Sequence, residues 1–140
     1  KMKKSKPLIW IIDDDSEWRE IYAKEIVREK LKNKYRIIMY PDLESAESID
    51  RIPKNKPDFI VFDIGVISGV HVNDTLRSLY INSLVKKYIN CVLLICSAVR
   101  CWAEDAVEEI KEKFREKNVI VFVVDRDLLE WVKIFDEFLK

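Results

Sequence analysis

Five short apolar runs recur along the chain: Leu8–Ile12, Ile37–Tyr40, Phe59–Phe62, Cys91–Cys96 and Val119–Val124. Each is continuous rather than alternating and rich in Ile, Val and Phe. That is how strands buried on both faces read. The segments between them carry a helical period. Trp18, Ile21, Tyr22 and Ile26 share one face of the first segment. A second, short segment around Leu43–Ile52 ends at Pro53. Leu76, Leu79, Tyr80, Leu84 and Tyr88 line the third, and Ala103, Val107, Ile110 and Phe114 the fourth. Leu128, Val132, Phe135 and Leu139 line the fifth. Strand and helix therefore alternate five times. Such alternation predicts an α/β domain with a five-stranded parallel sheet, doubly wound by helices on both sides.

Composition narrows the class. The 140 residues suit one domain, expected over 1–140 with a basic tail at 1–6. No Pro/Gly/Ser-rich linker divides the chain, and Pro7, Pro41, Pro53 and Pro57 punctuate the elements. At 49% hydrophobic the chain can bury a core, while its charged fraction, 36%, exceeds the usual quarter or so. The 25 basic and 25 acidic residues cancel, which argues against a nucleic-acid or membrane-surface binder. The two glycines, Gly65 and Gly69, cannot supply a G-x-G-x-x-G fingerprint, and Val70 after Gly69 breaks a P-loop. One histidine, His71, excludes a two-histidine zinc motif and reads as a loop residue. Cys91, Cys96 and Cys101 read as small buried apolar groups in a reducing cytoplasm. No apolar run approaches a membrane span, and the basic start at Lys1–Lys4 leads to no hydrophobic stretch of the signal-peptide kind.

Ligands of open parallel sheets bind beyond the carboxyl ends of the strands. Strand one ends in Asp13, Asp14 and Asp15, strand three in Asp63, strand four in Ser97 and strand five in Asp125. Asp15 and Ser16 suit a helix cap. Asp13, Asp14 and Asp63 exceed what capping requires. Converging carboxylates repel unless a cation joins them, and a hard oxygen-loving ion such as Mg²⁺ fits. A carboxylate in such a place can attack phosphorus and form an aspartyl phosphate.

At these residues the sequence resembles the receiver domain of bacterial two-component response regulators. Leu8-Ile-Trp-Ile-Ile-Asp-Asp-Asp-Ser-Glu-Trp-Arg19 is similar to that family's first strand, acidic pair and first helix. Lys56-Pro-Asp-Phe-Ile-Val-Phe-Asp63 resembles its third strand, ending in the phosphoacceptor. Val92-Leu-Leu-Ile-Cys-Ser-Ala98 resembles its fourth strand and hydroxyl residue. The resemblance implies a flavodoxin-like (βα)5 fold with strand order 2-1-3-4-5. It implies that Asp63 accepts phosphate from a sensor histidine kinase or phosphotransfer protein. Asp13, Asp14 and Asp63, with the backbone carbonyl of Gly65, would hold Mg²⁺. Ser97 would hydrogen-bond the phosphoryl oxygens, and Phe122 falls where the family keeps its switch aromatic. The plain alternative for Phe122 is a core residue of strand five. A cytoplasmic, stand-alone module acting through a downstream protein partner is implied, with a possible homodimer through helix four, strand five and helix five.

The departures matter as much. Where the family keeps Lys-Pro after strand five, this chain reads Asp125-Arg126, and the loop after Asp63 is Ile64-Gly-Val-Ile-Ser-Gly-Val-His71. The fourth helix, expected over roughly Trp102–Lys117, is long. Four carboxylates against one Mg²⁺ leave two negative charges in the pocket. One unit charge at ~5 Å and an effective dielectric of ~20 is worth about 3 kcal/mol. Asp125 must then point away or be protonated, or Arg126 or Arg100 must neutralise it, although both arginines otherwise read as surface charges. Failing these, the site binds metal without being phosphorylated.

Two other readings stay open. One is a degenerate receiver acting as an unphosphorylated interaction or dimerisation domain. The other is a haloacid-dehalogenase-type phosphatase with Asp13 as nucleophile, Ser97 as its hydroxyl and Asp125 with Asp127 as its late acidic pair. It lacks room for a cap domain and leaves Asp63 without a role.

Overall fold

The computed structural model describes residues 6–50, 56–64 and 74–140, excepting the side chains of 49, 50 and 74–80. The strands are β1 (Leu8–Ile12), β2 (Arg36–Tyr40), β3 (Phe59–Asp63), β4 (Val92–Cys96) and β5 (Ile120–Val123). The helices are α1 (Ser16–Arg28), α2 (Leu43–Asp50), α3 (Asp74–Lys87), α4 (Arg100–Lys113) and α5 (Leu128–Phe138). Short 3₁₀ turns, Leu31–Asn33 and Arg115–Lys117, follow α1 and α4. Helix α4 therefore starts earlier than its apolar period indicated and tightens into a 3₁₀ turn at its end. Asn118 then leaves that turn in the left-handed region at φ 55°.

All four strand pairings are parallel, in the order β2-β1-β3-β4-β5. This is the flavodoxin-like order. The three central strands are buried along their whole length, which explains their unbroken apolar runs. The edges β2 and β5 are partly exposed.

Alternate residues of each strand feed two cores. Trp10, Ile12, Ile60, Phe62, Leu93 and Ile95 pack against α2, α3 and α4. Ile9, Ile11, Phe59, Val61, Leu94 and Cys96 pack against α1 and α5. Burying one medium-sized aliphatic side chain is worth about 1.5–3 kcal/mol. Helix α5 shows the sequence-to-packing link clearly. Leu128, Trp131 and Phe135 lie one turn apart and are buried, whereas Leu139, expected on that face, is exposed just beyond the helix end. Ile21 likewise faces outward from α1 while Tyr22 and Ile26 are buried.

Caps fix where the site-facing helices begin. The Asp15 side chain accepts the Glu17 N–H at 2.9 Å and starts α1. The Asp127 carboxylate accepts the Leu129 and Glu130 N–H groups and starts α5. Such caps contribute about 1 kcal/mol each. Among the described residues, no helix is long and apolar enough to cross a membrane.

Candidate functional site

The sheet register brings the strand ends together. Ile12 pairs with Phe62, so Asp13 and Asp63 follow side by side, and Asp63 itself pairs with Cys96 beside Ser97. The ladder continues one step past the strands. Asp13 N–H reaches the Tyr40 carbonyl, and Ile64 N–H the Cys96 carbonyl, both at 3.0 Å. Asp13 and Asp63 are each 1% exposed, the buried charged residues among those described.

The positive charge facing them comes from the loop after β5. Arg126 donates from Nε to Asp63 Oδ2 at 3.0 Å, and its Nη2 donates to the same oxygen. Only 17% of the Arg126 side chain is exposed. Burial opposes the arginine's charge, but the hydrogen bond and charge of Asp63, then the charge of Asp13, raise its pKa overall. The guanidinium carbon also lies 5.1 Å from the centre of the Trp18 ring, within cation–π range.

Asp13 is held differently. Its Oδ1 accepts the Asp15 N–H at 2.9 Å, and Arg19 donates to its backbone carbonyl at 2.7 Å. Its Oδ2 is buried and, among the described residues, finds no hydrogen-bond partner. Burial pushes the Asp13 carboxyl up to about 6; Asp63 adds to the rise, while the Asp15 N–H and Arg126 oppose it. The Tyr22 hydroxyl, which feels the charges of Asp13, Arg126 and Asp63, is likewise buried with no partner among the described residues. Burial drives its pKa upward, so it stays a neutral phenol.

The other expected residues lie as follows. Asp14 is exposed. Among the described residues, no three His, Cys, Asp or Glu side chains are gathered as a metal ion requires. Gly65 and His71 lie outside the described residues. Ser97 accepts the Val99 N–H through Oγ at 3.1 Å, in a local turn before α4. Phe122 sits on the α1/α5 side of the sheet, its ring centre 5.9 Å from that of Phe138, as a strand-five core residue would. Asp125 turns outward, 64% exposed, and accepts Arg100 Nη1 at 2.6 Å. Asp127 is the α5 cap, so the late acidic pair of the phosphatase reading is engaged elsewhere. Cys91 and Cys96 are buried as expected, whereas Cys101 is exposed.

Both arginines read as surface charges in the sequence thus pair with carboxylates at this end of the sheet. Arg126, one of the two arginines the sequence offered to neutralise the pocket, is the one that reaches Asp63. Its one signal was adjacency to a strand end that already carried Asp125. Trp18 was read only as part of the apolar face of α1, and the Tyr22 hydroxyl had no signal at all.

The chain was compared with known proteins. No family model matches it, and no curated protein matches it. Among solved structures, one described as the yeast Spc42 trimeric coiled coil, amino acids 181–211, fused to another structure, is similar in fold. It superposes with a TM-score of 0.57 at 19% identity, over 96% of this chain and 76% of that one. At that identity the likeness concerns the fold alone.

Proposed function

We propose that this chain is a receiver-type signalling module that accepts a phosphoryl group on Asp63 and changes its protein contacts in response. The observation that carries the reading is the Arg126–Asp63 pair. The sequence lacks the family's lysine, and a guanidinium one residue later fills the same electrostatic role.

Charge supports it further. Asp13, Asp14 and Asp63 against Arg126 and Arg19, which bonds the Asp13 carbonyl, leave the pocket net negative, as a bound cation favours. Two of the donors suit such an ion, while Asp14 is exposed and would turn in to join them. A buried Asp13 Oδ2 with no partner among the described residues, beside a second carboxylate, is an arrangement that a hard cation stabilises. Asp13, Asp14 and Asp63 would hold Mg²⁺, which when bound supplies charge neutralisation at the phosphoryl oxygens. The residues of the chain do the rest. An Asp63 carboxylate oxygen attacks phosphorus of a phosphohistidine; the P–N bond breaks, its electron pair returns to the imidazole, and an acyl phosphate forms. Arg126, with several donors in a fixed fork, then follows the negative charge from carboxylate to phosphoryl oxygen. Ser97 would give up its turn to hydrogen-bond the same group. The donor would be a cytoplasmic sensor histidine kinase or phosphotransfer protein, and the output a protein partner.

A second reading, an unphosphorylated interaction domain, is favoured by one fact: Asp63 is buried and already neutralised by Arg126. Intact mass after incubation with Mg²⁺ and acetyl phosphate separates the two. The receiver reading expects one added phosphate, lost in Asp63→Asn. No adduct, together with no Asp63-dependent binding of beryllofluoride, overturns it in favour of the second.

A further inference from the structure

Arg126 is held from two directions by a chain of aromatic contacts that ends in a hydrogen bond to the backbone of the preceding residue. Its guanidinium lies over Trp18 at 5.1 Å. The Trp18 ring is 5.8 Å from Tyr22, and Tyr22 is 4.9 Å from Trp131. Trp131 ends the chain, donating Nε1–H to the Asp125 carbonyl at 2.7 Å. The backbone that carries Arg126 is therefore pinned by α5, and its charged end by α1. An arginine has many rotamers to lose, and Asp63 bonds it through a single oxygen. A face of indole below the guanidinium plane removes most of the alternatives.

We infer that Trp18 is a positioning residue for Arg126, holding the guanidinium on Asp63 and coupling the state of that carboxylate to α1. Its importance for phosphorylation rests on the receiver reading above; its hold on Arg126 does not. A cation–π contact of this kind converts to a factor of about 2 to 30 in the population of the seated arginine, by its general magnitude. Trp18→Leu keeps an apolar group on α1 but removes the π face. Trp18→Phe keeps a face and a smaller share of the attraction.

The test uses the Arg126 Nε–Hε resonance in the ¹⁵N-labelled full chain, assigned by its disappearance in Arg126→Lys. In the wild type it should be displaced by the indole ring current and protected from exchange with water. In Trp18→Leu the displacement should vanish and exchange should accelerate several-fold, with Trp18→Phe intermediate. A purely structural contribution of Trp18 would lower the melting temperature without this graded effect on one side chain. An unchanged Nε–Hε position and exchange rate in Trp18→Leu would overturn the inference. So would a Trp18→Phe variant that behaves as the leucine variant does. The second arm is the rate of Asp63 labelling by acetyl phosphate, expected to fall in Trp18→Leu and recover partly in Trp18→Phe. Wild-type protein that takes no label, yet shows the graded Nε–Hε effect, would count against the receiver reading while upholding the role of Trp18.

Discussion

Replacing Arg126 by methionine removes the guanidinium charge and keeps an unbranched chain over the Trp18 ring. Asp63, 1% exposed, then loses its ion pair beside the buried Asp13. Breaking a buried ion pair by deleting one partner costs about 3–5 kcal/mol. Arg126 is 17% exposed, so water can follow into part of its place. We therefore expect the lower end, about 3 kcal/mol near pH 8. Against a typical domain stability of about 5–15 kcal/mol, the variant stays folded. The loss should depend on pH. Arg126 is one of the groups that oppose the rise of the Asp13 carboxyl, which lies at about 6 with the arginine present. Without it that value rises further. A carboxyl whose folded pKa is raised favours the fold while protonated and loses that advantage as pH rises through the folded value. Arg126→Met should thus lose less stability at pH 4.5, where Asp13 is protonated, than at pH 8. Denaturant unfolding at both pH values measures this. Asp63→Asn in the same background should recover at least half of the loss, as a double-mutant cycle for coupled neighbours requires. A loss below about 0.5 kcal/mol at pH 8, the scale of a change on an uninvolved surface, would refute the reasoning. A loss that is equal at both pH values would refute it too.

Wild-type stability without added metal should fall as pH rises through about 6, because the Asp13 carboxyl is raised from 3.8 to about 6, chiefly by burial. Two units correspond to about 3 kcal/mol, and an unfolding free energy that is flat between pH 4 and pH 8 would count against this. Mg²⁺ at ten times its Kd should add about 1.4 kcal/mol at pH 8, or about 4 °C in Tm. It should add almost nothing at pH 4.5, where Asp13 is protonated; equal shifts at both would argue against these carboxylates as the ligands. Asp125→Asn should alter the rate of labelling by acetyl phosphate less than threefold, since Asp125 points outward to Arg100, whereas Arg126→Met should slow it more than tenfold. The reverse ranking would show that the residue at the family's lysine position is the one that matters. Tyr35→Phe should cost about 1 kcal/mol by deleting the hydroxyl's bond to Asp136. The Asp136 carboxyl is held below 3.8 by Lys34 first and Tyr35 second. A lowered acid stabilises above its unfolded value, so the cost should appear at pH 7 and shrink below about pH 4.

The fold was legible because its information is one-dimensional. A strand buried on both faces needs a continuous apolar run, and a helix on the sheet needs a stripe at 3.6 residues. Leu8–Ile12 emerged with the same bounds in sequence and structure, and β2 to β5 differ from their runs by one residue at an end or two. Helix faces were legible at Val107 and Ile110, but not at Ile21, which faces outward from the middle of α1, nor at Leu139. At Leu139 the chain leaves the helix and the period no longer says which way a side chain turns. Carboxylates at strand ends were legible for a related reason. Topology dictates that the ends of β1 and β3 are neighbours, so Asp13 and Asp63 had to meet.

The charge of the pocket was the part that topology does not dictate. Position 125 is two steps past the register of β5 and position 126 three steps. Successive side chains of an extended segment point to opposite sides, so one of the two faces the pocket and the other leaves it. Sequence position alone favoured Asp125, because a lysine stands there in the family that the chain resembles. The Asp125 carbonyl is fixed by Trp131 Nε1, and the Asp125 carboxylate is drawn to Arg100 at the start of α4. With that direction taken, Arg126 turns over Trp18 and onto Asp63. Four residues from three helices and a loop thus decide one side chain's direction, and none of them is close to Asp63 in sequence. A group of strand ends that read as all acidic therefore carries its own positive charge, Arg126 on Asp63 and Arg100 on Asp125.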